Sequence, residues 1–201
     1  MNKVRNKSRQ RNTRCGNLLI ITEGKSEQNY IKGLCEYLNK SYPKFLTSTN
    51  NTYELLNNII NEMYNGIYSD IYIISDKDNI PNNSKFNNFI RQIESHKINA
   101  VWSNPCLEIW YFAYFGKMPN YTTDQCNKEF KALFRKMFGT EYDKNDPDIY
   151  KKLIDCPETN EDNAIKLAIQ KLKEAERNYK DRPSEQCPAT KMFLLVKNIK
   201  D

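Results

Sequence analysis

A chain of 201 residues suffices for one domain whose core needs no covalent staple, and its 39% hydrophobic and 28% charged residues are ordinary globular proportions that exclude a disordered or fibrous chain. Its six cysteines (Cys15, Cys35, Cys106, Cys126, Cys156, Cys187) stand singly with no CxxC pair, which argues against a zinc ribbon or disulfide framework and for reduced thiols. No apolar run approaches the roughly 20 residues of a membrane span, so the expectation is a cytoplasmic protein with no membrane partner.

The net charge of +6 is unevenly placed. Residues 1–16 carry Lys3, Arg5, Lys7, Arg9, Arg11 and Arg14 with no acid, and the rest of the chain is neutral overall. The segment reads as a flexible basic arm, either gripping phosphates in a salt-sensitive way or serving as a solubilising tail. From Asn17 onward the pattern is that of a single α/β domain, with a core at about 17–115 and a helical elaboration at about 120–201.

Asn17 to Thr22 is a short apolar, β-branched run ending in Glu23-Gly24, which predicts a buried strand and a tight turn. A helix opens at Lys25 or Ser26, with Tyr30, Ile31, Leu34, Tyr37 and Leu38 at helical spacing and Pro43 just beyond. A second amphipathic helix is predicted from about Thr52 to Tyr64. Asp70 to Ser75 predicts another buried strand, closed by Asp76-Lys77-Asp78-Asn79. A helix from about Ser84 to His96 and a strand from Ile98 to Trp102 follow, the latter broken by Ser103-Asn104-Pro105. Leu107 to Phe115 predicts an apolar helix whose Trp110, Tyr111, Tyr114 and Phe115 are either core or a docking face. Further helices are expected at about 123–138, 145–154 and 161–179, with a closing segment after Pro188. Strands alternating with helices imply a mainly parallel sheet with helices on both faces. Glu23-Gly-Lys-Ser lacks the upstream glycine of a phosphate-binding P-loop.

Ligands of parallel α/β sheets bind outside the carboxyl ends of the strands. Two such ends carry acids here: Glu23 after the first strand, and Asp76 with Asp78 after the second. Two carboxylates spaced by two on an extended segment share a side, and hard oxygen ligands gathered at one edge suit Mg²⁺ or Mn²⁺. Asp and Asn also serve as turn and cap residues, so Asp76-Lys-Asp-Asn alone reads either way. Glu23 before a glycine is not a favoured turn residue, and that tips the pair toward chemistry. The one histidine, His96, sits at a predicted helix end and reads as a surface or capping residue, so histidine-based nucleophilic engines have no support. Metal-carboxylate phosphoryl transfer remains among hydrolytic chemistries.

Thr22-Glu23-Gly24-Lys25-Ser26-Glu27-Gln28-Asn29-Tyr30, Ser75-Asp76-Lys77-Asp78 and Ser103-Asn104-Pro105-Cys106-Leu107-Glu108-Ile109-Trp110 together resemble the RloB-like family. Pro188-Ala-Thr190 resembles that family's closing motif, and the agreement runs from about residue 15 to the end. The resemblance implies a Toprim-like fold, the metal-binding α/β domain of topoisomerases, primases and overcoming-lysogenization-defect nucleases. It implies a Mg²⁺- or Mn²⁺-dependent endonuclease acting on DNA or RNA in bacterial anti-phage abortive infection, beside an AAA- or ABC-type ATPase. On that basis Glu23, Asp76 and Asp78 would be catalytic metal ligands and Glu27 would assist them, reaching toward a second ion. Lys25, Lys77, Asn104 and Glu108 would meet substrate. For Lys25 and Lys77, neutralising the acids is the alternative, and for Glu108 it is a helix-start acid facing the helix dipole. The lead into Asp76, Ile73-Ile74-Ser75, departs from the glycine-rich lead of many Toprim proteins. A different class of reading is a non-catalytic or weakly active subunit that binds nucleic acid or docks on an ATPase, and a third is phosphate ligation or transfer.

Overall fold

The structure is a computed structural model, and it describes residues 17–47, 68–179 and 181–201, apart from the side chain of Asn79. The basic arm at 1–16 and the helix expected at about 52–64 lie outside the described residues.

In chain order the elements are β1 (Leu18–Thr22), α1 (Lys25–Tyr37), β2 (Lys44–Thr47), β3 (Asp70–Asp76), α2 (Asn83–Ser95), β4 (Asn99–Asn104) and α3 (Glu108–Tyr114). Then follow α4 (Thr123–Phe138), α5 (Ile149–Asp155), α6 (Glu161–Tyr179), β5 (Ala189–Thr190) and α7 (Met192–Lys200), with short 3₁₀ turns at Lys77–Asn79 and Pro183–Glu185. The five strands form one sheet in the order β2-β1-β3-β4-β5, parallel throughout except for β5, which runs antiparallel to β4. All of β1, and all of β3 and β4 beyond their first residues, is buried. Successive side chains of a strand point to opposite faces, so this uninterrupted burial means that both faces are covered. Each buried Leu or Ile here contributes about 2 kcal/mol of transfer free energy. The architecture is mixed α/β with a five-stranded, mostly parallel sheet, as a Toprim-like fold requires.

Most elements fall where the sequence predicts them, but β4 runs on through Ser103 and Asn104, which the sequence reads as its break, and β2 and β5 are not predicted as strands. β2 has no fully buried residue in its four and lies at the sheet edge, so no apolar run announces it. The segment after Pro188 begins as a strand: Thr190 pairs with Ser103, hydroxyl to hydroxyl at 3.0 Å, before α7 starts. α5 starts at Ile149, later than expected, because 143–148 is a turn in which Asp143 Oδ1 accepts from the Asn145 amide and Asp146 Oδ1 from the Asp148 amide. α4 has a complete Thr122/Gln125 capping box and ends at Gly139, whose φ of +69° is left-handed and turns the chain back.

Of the two readings of the aromatic set, core holds: Trp110, Tyr111 and Tyr114 are buried, and Phe115 is partly buried against them. Tyr30 meets Trp110, Tyr111 and Tyr150 ring to ring, and this aromatic layer joins α1 and α3 to the helical second half. His96 caps α2 and is exposed. Among the described residues Cys35, Cys106, Cys126, Cys156 and Cys187 form no disulfide. Among the described residues no helix is long and apolar enough to cross a membrane.

Candidate metal and phosphate site

Parallel pairing aligns the carboxyl ends of β1, β3 and β4, and the acids converge there because the register is fixed: Ile21 lies beside Ile73, and Asp76 beside Ser103. Ser75 Oγ donates to Glu23 Oε1 at 2.6 Å, tying the end of β1 to the end of β3 one residue before Asp76. Asp76 is 8% exposed, and its Oδ2 accepts from the Leu107 amide at 3.0 Å at the start of α3. Its Oδ1 is buried and has no hydrogen-bond partner among the described residues. Burial, with the charges of Glu27, Asp78 and Glu108 adding to it, holds the Asp76 carboxyl well above the usual carboxylate range, against the pull of the Leu107 amide.

Glu27, in the first turn of α1, is 7% exposed, and its Oε2 likewise has no partner among the described residues. Burial pushes its carboxyl up to about 7; the charges of Glu23 and Glu108 add to this, and backbone hydrogen bonds from Glu27 and Gly24 oppose it. Glu108, first residue of α3, is buried; its Oε1 accepts from Tyr142 Oη at 3.2 Å and lies 3.6 Å from Lys144 Nζ. Four of the expected acids, Glu27, Asp76, Asp78 and Glu108, therefore feel one another, and Glu23 joins them through Glu27.

Several expectations change at side-chain level. Asp76 and Asp78 do not share an extended segment: β3 stops at Asp76, and Asp78 lies in the 3₁₀ turn, half-buried, its amide donating to the Pro105 carbonyl at 3.2 Å. Lys77 lies beside Asp78 and feels its charge, but its hydrogen bonds go elsewhere. Its ammonium donates to the Ile80 and Pro81 carbonyls at 3.0 and 2.9 Å and lies over the Phe86 ring, so it closes the turn that carries Asp78. Asn104 is buried, and its side-chain amide donates to the Pro183 and Ser184 carbonyls, fastening β4 to the second 3₁₀ turn. Lys25 is exposed at the start of α1.

Two residues carry no signal in the sequence and matter here. Tyr142 and Lys144 lie in the loop between α4 and α5, more than thirty residues from Glu108. Tyr142 is held between Phe130 and Phe134, at ring distances of 4.9 and 5.3 Å. Burial pulls the Lys144 ammonium down, but the charges of Glu108, Asp78 and Asp76 outweigh it, so the group stands above its ordinary value. Only the Gly139 stop, which returns the chain toward α3, hints at this placement.

Buried carboxylate oxygens with no donor, pressed among like charges, are what a hard cation relieves, and the donor set is all oxygen. Among the described residues no group of three or more His, Cys, Asp or Glu side chains stands ready as a complete ligand set. Mg²⁺ and Mn²⁺ keep several waters and take one or two carboxylates, and it is the unpartnered buried oxygens of Asp76 and Glu27 that bear on such an ion. The residues present fit such an ion. Beside Asp78 opens a cleft of about 570 Å³, lined by Asn83, Asn104, Thr122, Thr123 and Ser184 among others.

With the sheet order and this acid-bearing edge established, one comparison decides the relationship: the family model described as RloB-like protein matches residues 18–199. The chain belongs to the RloB-like family. No curated protein and no solved structure matches it. The RloB-like match spans all the strands and helices described above but for the last residue of α7, so the acidic edge and the loop of Tyr142 and Lys144 both lie within it.

Proposed function

We propose that this RloB-like protein is a divalent-metal-dependent endonuclease that hydrolyses phosphodiester bonds of DNA or RNA, in anti-phage abortive infection beside an AAA- or ABC-type ATPase. The observation that carries the reading is the pair of buried oxygens without a donor, Asp76 Oδ1 and Glu27 Oε2, at the carboxyl edge of a parallel sheet. Family membership and the adjoining cleft support it.

Asp76 and Glu23 would hold the ion with Asp78, and Glu27 would assist. When bound, Mg²⁺ or Mn²⁺ lowers the pKa of water and offsets charge on the phosphate and leaving oxygen. The chain's own residues do the positioning. The Leu107 amide fixes the Asp76 carboxylate and leaves Oδ1 directed elsewhere, while the Ser75 hydroxyl orients Glu23. Glu27, near half-protonation at neutral pH, can hold or release a proton at this edge without moving. The cleft beside Asp78 offers room for the flanking strand.

A second reading is favoured by a specific observation: no complete ligand set is preassembled among the described residues. On this reading the domain is weakly active alone and gains its geometry when docked on the ATPase. The test is incubation of the purified protein with plasmid, single-stranded DNA and total RNA, in Mg²⁺ or Mn²⁺, with and without the ATPase. Cleavage abolished by Glu23→Ala and by Asp76→Ala is the expected result. Cleavage that survives both substitutions refutes the enzyme, and cleavage seen only with the ATPase selects the second reading.

A further inference from the structure

The acidic edge poses a problem for its own substrate. A nucleic-acid strand is a polyanion, and Glu23, Glu27, Asp76, Asp78 and Glu108 together repel it more than one divalent ion offsets. A cation from the chain is needed at the mouth. Lys77 is committed to the Ile80 and Pro81 carbonyls. Lys144 is differently placed: its ammonium lies 3.6 Å from Glu108 Oε1, a loose pair, and its side chain is 50% exposed.

Resting on the nuclease reading, we propose that Lys144 is the substrate-phosphate contact of the site, delivered by the 140–148 loop. The loop is fastened on both sides of the lysine. Ahead of it, Tyr142 is caged by Phe130 and Phe134 and donates to Glu108. Behind it, Asn29 of α1 donates its side-chain amide to the Asn145 carbonyl at 2.8 Å, and Asp146 pairs with Lys152 at 2.6 Å. The backbone of Lys144 is thus held at the acidic edge while its four-carbon stem remains able to swing. Only the lysine end of this pair is exposed; Glu108 is buried and keeps its hydrogen bond from Tyr142 when the ammonium swings toward a phosphate oxygen. A lysine ammonium is a compact point charge that accepts phosphate from several directions, whereas the buried acids are fixed by their neighbours.

The experiment compares wild type, Lys144→Met and Lys144→Arg. Binding of a fluorescein-labelled single-stranded oligonucleotide in Mn²⁺ is followed by anisotropy across a salt series, with thermal melting as a fold control. Lys144→Met should weaken binding about tenfold and flatten the slope of log affinity against log salt by about 0.7 to 0.9. Lys144→Arg should restore the slope, and all three should melt alike. A methionine variant that binds with the wild-type salt slope overturns the assignment while leaving the nuclease reading intact. A wild type that neither binds nor cleaves any nucleic acid overturns both. If the methionine variant melts early, the slope for Lys144→Arg decides: a slope unlike the wild type's rejects the phosphate contact.

Discussion

Two glutamates of this protein are equally buried and oppositely furnished. Glu161 and Glu27 are each 7% exposed. Glu161, at the start of α6, accepts from Tyr114 Oη at 3.0 Å and from Tyr150 Oη at 3.1 Å on one oxygen, and its other oxygen pairs with Lys200. Glu27 has like charges nearby and an Oε2 with no donor among the described residues. Burial is the same, so burial does not distinguish a stabilising acid from a reactive one. Satisfaction does. The Glu161 hub joins α3, α5, α6 and α7 and belongs to the fold, whereas the acids beside Glu27 are held together against their own repulsion.

The largest effect that sharpens this contrast should come from Asp76→Asn. It should lower cleavage at least ~100-fold, about 3 kcal/mol of lost transition-state stabilisation, while the melting temperature holds or rises because a crowded charge has gone. A fall in both would place Asp76 with Glu161, as a structural acid. Glu161→Leu should do the reverse, costing about 4 kcal/mol by stranding two buried hydroxyls and a lysine. The urea midpoint at constant m-value reads it, and an unchanged midpoint would break the comparison.

The next effect is a pH dependence. Unfolded Glu27 releases its proton near 4.5, whereas folded Glu27 keeps it until about 7. The folded state therefore binds more protons across that window, and stability falls as pH rises from about 4.5 to 7, by on the order of 3 kcal/mol in all. Glu27→Gln should remove this slope and be the more stable protein above pH 7, as denaturation curves at several pH values will show. The smallest effect is expected at Lys77. Replacing it with Met releases the Ile80 and Pro81 carbonyls and should cost ~1 kcal/mol, with the salt slope of nucleic-acid binding unchanged, unlike Lys144→Met.

Legibility in the sequence followed the range of the interactions. The central strands and α1, α4 and α6 are periodic or capped within themselves, so local pattern suffices for them: the Thr122/Gln125 box and Gly139 bracket α4 without help from elsewhere. The strand-end acids were legible because position after an apolar run carries topological meaning in parallel sheets. β2 and β5 were not, since a strand of four or two residues owes its existence to its neighbour. The hydrogen-bond partners of Lys77 and Asn104 are not legible because they are backbone carbonyls, which no residue letter encodes. Tyr142 and Lys144 were missed because a flexible polar loop looks alike whether it faces solvent or a charged edge.

The outer wall beside Asp78 has a consequence for how the protein is made. Asn104 is fastened to Ser184, 80 residues later, Asn87 accepts from the Ser184 amide across 97 residues, and Ser103 meets Thr190 across 87. A nascent polypeptide still short of residue 183 lacks these partners, so the edge of β4 stays unfinished until residues 183–190 have left the ribosome. Synthesis itself thereby orders assembly: the strand ends that carry the acids come first, and the wall beside Asp78 is completed only once residues 183–190 are in place.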